Sequence, residues 1–161
     1  MFEEFLGIPA HPLLVHAAVV FVPLQVLAAV TYAFVPRFRR NIAWFVAATL
    51  VIAPGAAFLA KLSGDAFRAR IAGKGFADAE LLSMIDKHRS YGTITLYLSL
   101  ALSILMLLLL LFSRSGATGM FVPPGIGGVV LAVLTLGVGI AAGIYVVLTG
   151  DTGAHTAWKG Q

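Results

Sequence analysis

Histidine supplies the side chains of this chain that are best suited to chemistry, at His11, His16, His88 and His155. A neutral imidazole binds iron, copper and zinc, and it is the commonest metal ligand among protein side chains. Because His11 and His16 are five residues apart, on one helix they point about 140° apart, with His16 about 7 Å deeper. We therefore expect them to serve different partners, or one to bind a metal while the other supports it.

Four apolar segments must position these histidines. Each has about 20 residues, enough to cross a bilayer as a helix, and none contains a charge; they are residues 12–35, 42–60, 91–112 and 127–149. Lipid offers the backbone no hydrogen-bond partner, so such spans must be helical. The sequence predicts an all-α fold: a four-helix transmembrane bundle forming a single integral membrane domain over residues 1–161. We expect both termini and one longer loop, residues 61–90, on the same side, and a Gly/Pro linker at residues 115–125.

The composition excludes most other classes of protein. Only 11% of the residues are charged and 60% are hydrophobic, whereas a soluble domain has about 25% charged residues. This balance argues against a soluble domain, a disordered chain and a nucleic-acid binder. Cysteine is absent, which removes disulfides, thiolate metal sites and covalently attached haem. No nucleophile motif, phosphate loop or dinucleotide fingerprint is present, so we expect electron transfer or metal binding rather than a stand-alone enzyme.

The predicted topology gathers all four histidines at one face of the membrane. His11 and His16 lie at the start of the first helix, His88 lies three residues before the third, and His155 lies six residues after the fourth. All seven acidic residues are predicted on this face, and three of them lie beside helix ends near the histidines: Asp65, Asp86 and Asp151. Because helix bundles build cofactor sites from facing helices, this one-sided cluster is the candidate site.

Two metal-binding hypotheses and one structural hypothesis fit the cluster. A b-type haem needs one axial histidine from each of two helices, and for this role in electron transfer we predict His16 and His88. A copper or zinc ion would instead use three or more members of a larger set: His11, His16, His88, Asp151 and His155. Alternatively, the histidines bind nothing and anchor a structural subunit of a membrane complex at the interface.

Positive charge beside the first helix suggests an orientation. Three arginines lie within residues 37–40, and Lys and Arg are enriched in cytoplasmic loops. The raw count favours the opposite orientation, because seven of the 11 Lys and Arg residues lie on the histidine side. Since the first helix usually dominates, we predict a multi-pass protein of the bacterial plasma membrane with both termini and the histidines outside.

The helices carry few features that indicate other partners. Gly139 and Gly143 form a G-x-x-x-G pattern, which permits close helix packing within the bundle or, less favoured, a homo-oligomer. Pro23 and Pro54 interrupt the backbone ladder, and Gln25 is the one strongly polar side chain near either of them. Besides the bilayer, we expect a redox protein or a larger membrane complex as partner. The sequence shows no internal repeat of useful length.

Three motifs resemble a family of small bacterial predicted membrane proteins, labelled domain of unknown function 2231. They are Gly7-Ile-Pro-Ala-His-Pro-Leu-Leu-Val-His16 at the head of the first helix, Asp86-Lys-His-Arg-Ser-Tyr-Gly92 before the third, and residues 149–158 after the fourth. The resemblance implies four helices and site residues at His11, His16, His88 and position 151, where many relatives have histidine and this chain has Asp151. Some relatives are joined to Rieske-type or cytochrome-type domains, which implies membrane redox work.

Overall fold

The computed structural model describes residues 4–5, 8–73, 78–114 and 126–158. Two short strands, β1 (Glu4–Phe5) and β2 (Ile8–Pro9), pair antiparallel ahead of the helices. The four helices are α1 (Ala10–Phe34), α2 (Arg39–Gly73), α3 (Ala79–Arg114) and α4 (Ile126–Trp158), with a 3₁₀ turn at Pro36–Phe38. The predicted all-α four-helix bundle is confirmed. The predicted linker at residues 115–125 lies outside the described residues.

The helices form an up-and-down bundle. Each helix packs against the next in sequence, and α4 also packs against α1, so that α1 and α3 lie on one diagonal. The start of α1 and the start of α3 consequently come together at one end, beside the end of α2 and the end of α4. We call this the histidine end of the bundle.

Three of the helices are longer than the predicted spans. α2, α3 and α4 contain 35, 36 and 33 residues, whereas about 20 residues cross the hydrocarbon core. The expected loop at residues 61–90 is largely helical, because α2 continues to Gly73 and α3 starts at Ala79. The polar tail after residue 149 continues α4 to Trp158. An apolar run marks only the part of a helix that lies in lipid. The helix itself continues through the polar residues that follow or precede the run.

Large apolar side chains cover the outside of the bundle. All four helices are long and apolar enough to cross a membrane. Exposed side chains include Leu27, Trp44, Val51, Ile104 and Val133, which a soluble protein would not display in such number. The interior is closed by fully buried aliphatic and small side chains such as Val22, Ala29, Val46, Leu102 and Met106. The chain is a multi-pass membrane protein surrounded by lipid.

A polar contact in the middle of the bundle joins three helices. The fully buried Gln25 amide donates to Ser99 O at 3.1 Å and to Ser103 Oγ at 2.7 Å, and its carbonyl accepts from Ser99 Oγ at 2.7 Å. Ser103 Oγ donates to Leu50 O at 2.9 Å. Pro54 leaves that carbonyl without its helical N–H, so the hydroxyl replaces the missing donor.

Arg39 closes the opposite end of the bundle. Its guanidinium is buried, and it donates to Tyr32 O and Ala33 O at 2.8 Å each. These are carbonyls of the last turn of α1, where the helix has no further N–H groups to satisfy them. The first residue of α2 therefore caps the helix before it.

Candidate metal centre

Two of the four histidines meet at the histidine end of the bundle. The ring centroids of His11 and His88 are 6.0 Å apart, and the ring planes are inclined by 77°. Both side chains are half-buried. Because α1 and α3 are diagonal, this contact lies across the bundle, where ligands from two helices can reach one centre.

His11 is held by α2. Its Nδ1 atom lies 3.1 Å from Ala60 O and 3.1 Å from Ser63 Oγ. A carbonyl oxygen only accepts, so Nδ1 carries the hydrogen and Nε2 keeps its lone pair. The Phe67 ring lies nearly parallel to the imidazole, with centroids 6.1 Å apart. The next helix thereby sets both the tautomer and the tilt of the ring.

His88 is held by α4 in the same manner. Its Nδ1 atom lies 2.9 Å from Thr149 O, and Thr152 Oγ1 lies 3.5 Å from the same nitrogen. The carbonyl again requires the hydrogen on Nδ1 and leaves the lone pair on Nε2. A hydrogen bond from one ring nitrogen to a carbonyl is the usual support of a histidine that binds metal through the other.

Glycine makes both contacts sterically feasible. A Cβ atom at Gly64 would lie 2.9 Å from His11 Cε1, and one at Gly153 would lie 2.9 Å from His88 Cε1. In a helix the side chain of a residue leans back over the preceding turn. Gly64 and Gly153 follow the accepting carbonyls by four residues, so their missing side chains leave those carbonyls open to the imidazoles.

An ion-pair network joins α2 to α3 beside the histidines. Arg89 contacts Asp65 at 2.7 Å and Asp86 at 3.0 Å, and Arg68 contacts Asp86 at 2.9 Å. Lys61 adds a contact of 2.6 Å to Asp65. Asp65 directly follows Gly64 and Arg89 directly follows His88, so the network links α2 to α3 directly beside the site.

The other predicted site residues lie apart from this pair. His16 is exposed, and its Nδ1 contacts Pro12 O in its own helix. His155 and Asp151 have side chains 71% and 60% exposed, 3.4 Å apart on α4. In the part of the chain that the structure describes, no group of three His, Asp or Glu side chains is placed to hold one ion. The structure thus gives His88 a different histidine neighbour from the predicted His16.

Four supporting residues were not predicted from the sequence: Ser63, Gly64, Thr152 and Gly153. Each pair is a hydroxyl residue followed by glycine near the end of a helix. The recurrence of this dipeptide in α2 and α4 is the signal that could have identified them. The carbonyl contacts themselves depend on helix packing, which the sequence alone does not display.

Comparison with protein-family models decides the family. The model described as predicted membrane protein (DUF2231) matches residues 7–161. The chain belongs to the DUF2231 family. The match spans all four helices and both histidines of the pair, which confirms the resemblance based on three motifs. Neither the curated proteins nor the solved structures provide a match to this DUF2231 protein.

Proposed function

We propose that this DUF2231 protein binds one b-type haem between His11 and His88 and transfers electrons in the membrane. The observation that carries the proposal is the pair of imidazoles from diagonal helices, 6.0 Å apart between centroids. An imidazole nitrogen lies about 2.0–2.1 Å from a bound metal and about 1.1 Å from its own ring centroid, so the centroids of two imidazoles that bind one ion are at most about 6.4 Å apart. The separation of His11 and His88 lies within this limit.

The chemistry of the donors supports the same proposal. Both Nδ1–H groups are occupied by carbonyls of α2 and α4, which leaves two Nε2 lone pairs as ligands. A haem iron needs two axial ligands at most from the protein. When bound, the haem would supply one-electron redox chemistry, and His11 and His88 would hold its iron and tune its potential.

A copper ion bound by the two imidazoles alone is the second candidate. Imidazole suits copper, and a bare ion needs no flat slot between the rings. Imidazole carbons already fill the space that side chains at Gly64 and Gly153 would take. These two glycines therefore provide no space for a tetrapyrrole. Zinc sites in proteins use three or four side-chain ligands, and no such group exists among the described residues.

Metal content separates these candidates. The full chain is purified in mild detergent, and haem, copper and zinc are measured per protein beside four variants: His11→Ala, His88→Ala, His16→Ala and His155→Ala. We expect one haem per chain in the wild type and in the two exposed-histidine controls. Loss is expected in the first two variants. Stoichiometric copper without haem would favour the second candidate, whereas full haem in both His11→Ala and His88→Ala would refute the ligand assignment.

We also propose which membrane holds the protein and which way it is oriented in that membrane. We place the protein in the bacterial plasma membrane with the histidine end outside, because three arginines follow the first span at residues 37–40. A redox protein or a larger membrane complex would then exchange electrons at the outer surface. Reporter fusions at the C-terminus test the orientation, and activity of a reporter that works only in the cytoplasm would overturn it.

A further inference from the structure

The same arrangement of supporting groups occurs twice in the bundle. In α2 a carbonyl, a hydroxyl and a glycine occupy Ala60, Ser63 and Gly64, and in α4 they occupy Thr149, Thr152 and Gly153. Both sets have the spacing n, n+3, n+4, and each receives one histidine from the preceding helix. The helical hairpins α1–α2 and α3–α4 therefore provide equivalent halves of one site.

The hydroxyl of each half can only accept from its histidine. Ser63 Oγ donates its single proton to Ala60 O at 2.9 Å, and Thr152 Oγ1 donates to Leu148 O at 2.7 Å. With its proton committed to a carbonyl, a hydroxyl offers a lone pair to the neighbouring Nδ1. It thereby adds to the carbonyl in favouring hydrogen on Nδ1 and opposes the other tautomer, in which a hydrogen on Nε2 would block metal binding at that nitrogen.

We propose that Ser63 and Thr152 are positioning residues that act together with the carbonyls of Ala60 and Thr149. They hold His11 and His88 as Nδ1–H tautomers and increase electron donation from both rings to the bound metal. This proposal rests on the proposed metal-binding function. Groups that accept from the far nitrogen of a ligating histidine raise its basicity, and hydrogen bonding around the ligands sets the reduction potential of a metal centre. Through these two hydroxyls, α2 and α4 tune the reduction potential of the bound metal.

The two halves differ in strength. His11 Nδ1 is equally distant from its two acceptors, at 3.1 Å each. His88 Nδ1 is closer to Thr149 O, at 2.9 Å, than to Thr152 Oγ1, at 3.5 Å. Hydrogen bonds weaken with distance, so removing the hydroxyl should affect His11 more than His88.

The tautomer is measured on metal-free protein, independently of the proposed function. Protein labelled with ¹⁵N-histidine is studied in detergent micelles by long-range proton–nitrogen correlation. Wild-type His11 and His88 should show the Nδ1–H pattern. Ser63→Ala should shift the two nitrogen resonances of His11 toward each other, and Thr152→Val should shift those of His88 less. Ser63→Thr and Thr152→Ser should restore the wild-type pattern.

Thr156→Val is the matched control, because Thr156 Oγ1 donates to Thr152 O within α4 and contacts neither histidine of the pair. It should leave both patterns unchanged. Unaltered His11 resonances in Ser63→Ala would overturn the positioning role, whatever the metal content.

The second readout is the midpoint potential of metal-loaded protein. Ser63→Ala should raise the potential, because the less electron-rich imidazole stabilises the oxidised metal less, and Ser63→Thr should return it to the wild-type value. An unchanged potential with unchanged metal content would refute the tuning role. If wild-type protein binds no metal, the proposed function fails while the tautomer measurement still decides the positioning role.

Discussion

Replacing Gly153 with alanine should displace the His88 ring and weaken metal binding. The new Cβ atom would lie 2.9 Å from His88 Cε1 and 3.2 Å from Nδ1. Non-bonded carbon atoms prefer separations of about 3.5–4.0 Å, so the ring must move by about 0.6 Å or more. If the ring moves away from α4, the 2.9 Å contact of Nδ1 with Thr149 O would lengthen to as much as about 3.5 Å, beyond the usual range of an N–H···O hydrogen bond.

The expected loss of metal affinity is about 10–100-fold, the usual effect of removing the support of a ligating histidine. A metal–nitrogen distance tolerates only about 0.2 Å of error, which is smaller than the displacement. Overpacking at this position costs about 1–3 kcal/mol of stability, and alanine in place of a helical glycine returns about 0.5–1 kcal/mol. The net loss is small enough that the protein should still fold.

Metal or haem content after detergent purification, followed by titration of the depleted protein, measures this prediction. Gly150→Ala is the control, because nothing lies within 4 Å of its added Cβ atom. Gly64→Ala should act like Gly153→Ala, through His11. Wild-type affinity in both Gly64→Ala and Gly153→Ala would refute the view that the glycines seat the two ligands.

Three further substitutions test the fold of the bundle at its middle, at the end opposite the histidines and beside the site. Gln25→Leu should lower the free energy of unfolding by about 2 kcal/mol, since it breaks three interhelical hydrogen bonds worth about 0.6 kcal/mol each; an unchanged denaturation midpoint in detergent would contradict this. Arg39→Met removes the cap of α1 and should cost about 1–3 kcal/mol, seen as a lower Tm; an equal Tm would count against the capping role. Asp65→Asn should cost less than about 1 kcal/mol, because its ion pairs are partly exposed, and should leave metal content intact; loss of metal would show a closer coupling.

The transmembrane fold was predictable because the apolar runs and the lipid environment leave no alternative to helices. The positions at which the helices end were not predictable from the sequence. Polar residues after 60 and before 91 resemble a loop by composition, yet Asp65, Arg68, Asp86 and Arg89 pair across α2 and α3 and continue both helices. Such pairing depends on which helices are neighbours, which hydropathy does not reveal.

The sequence placed the candidate site at the end of the bundle where His11 and His88 meet, but as the partner of His88 it chose His16. His11 and His16 differ in direction by about 140°, and only the packing of α1 on α2 determines which one turns inward. His11 faces Ala60 and Ser63, whereas His16 contacts its own helix. The greater depth of His16 along α1 contains no information about which of the two side chains the helix turns inward.

Low-temperature electron paramagnetic resonance of the oxidised protein tests the central claim, that His11 and His88 together bind one metal centre. The account predicts a low-spin ferric haem signal with two imidazole ligands in wild type and in His16→Ala. In His11→Ala and His88→Ala that signal should be replaced by a high-spin signal or disappear. A low-spin signal that persists unchanged in both of these variants, or wild-type protein with neither a haem nor a copper signal, would contradict it.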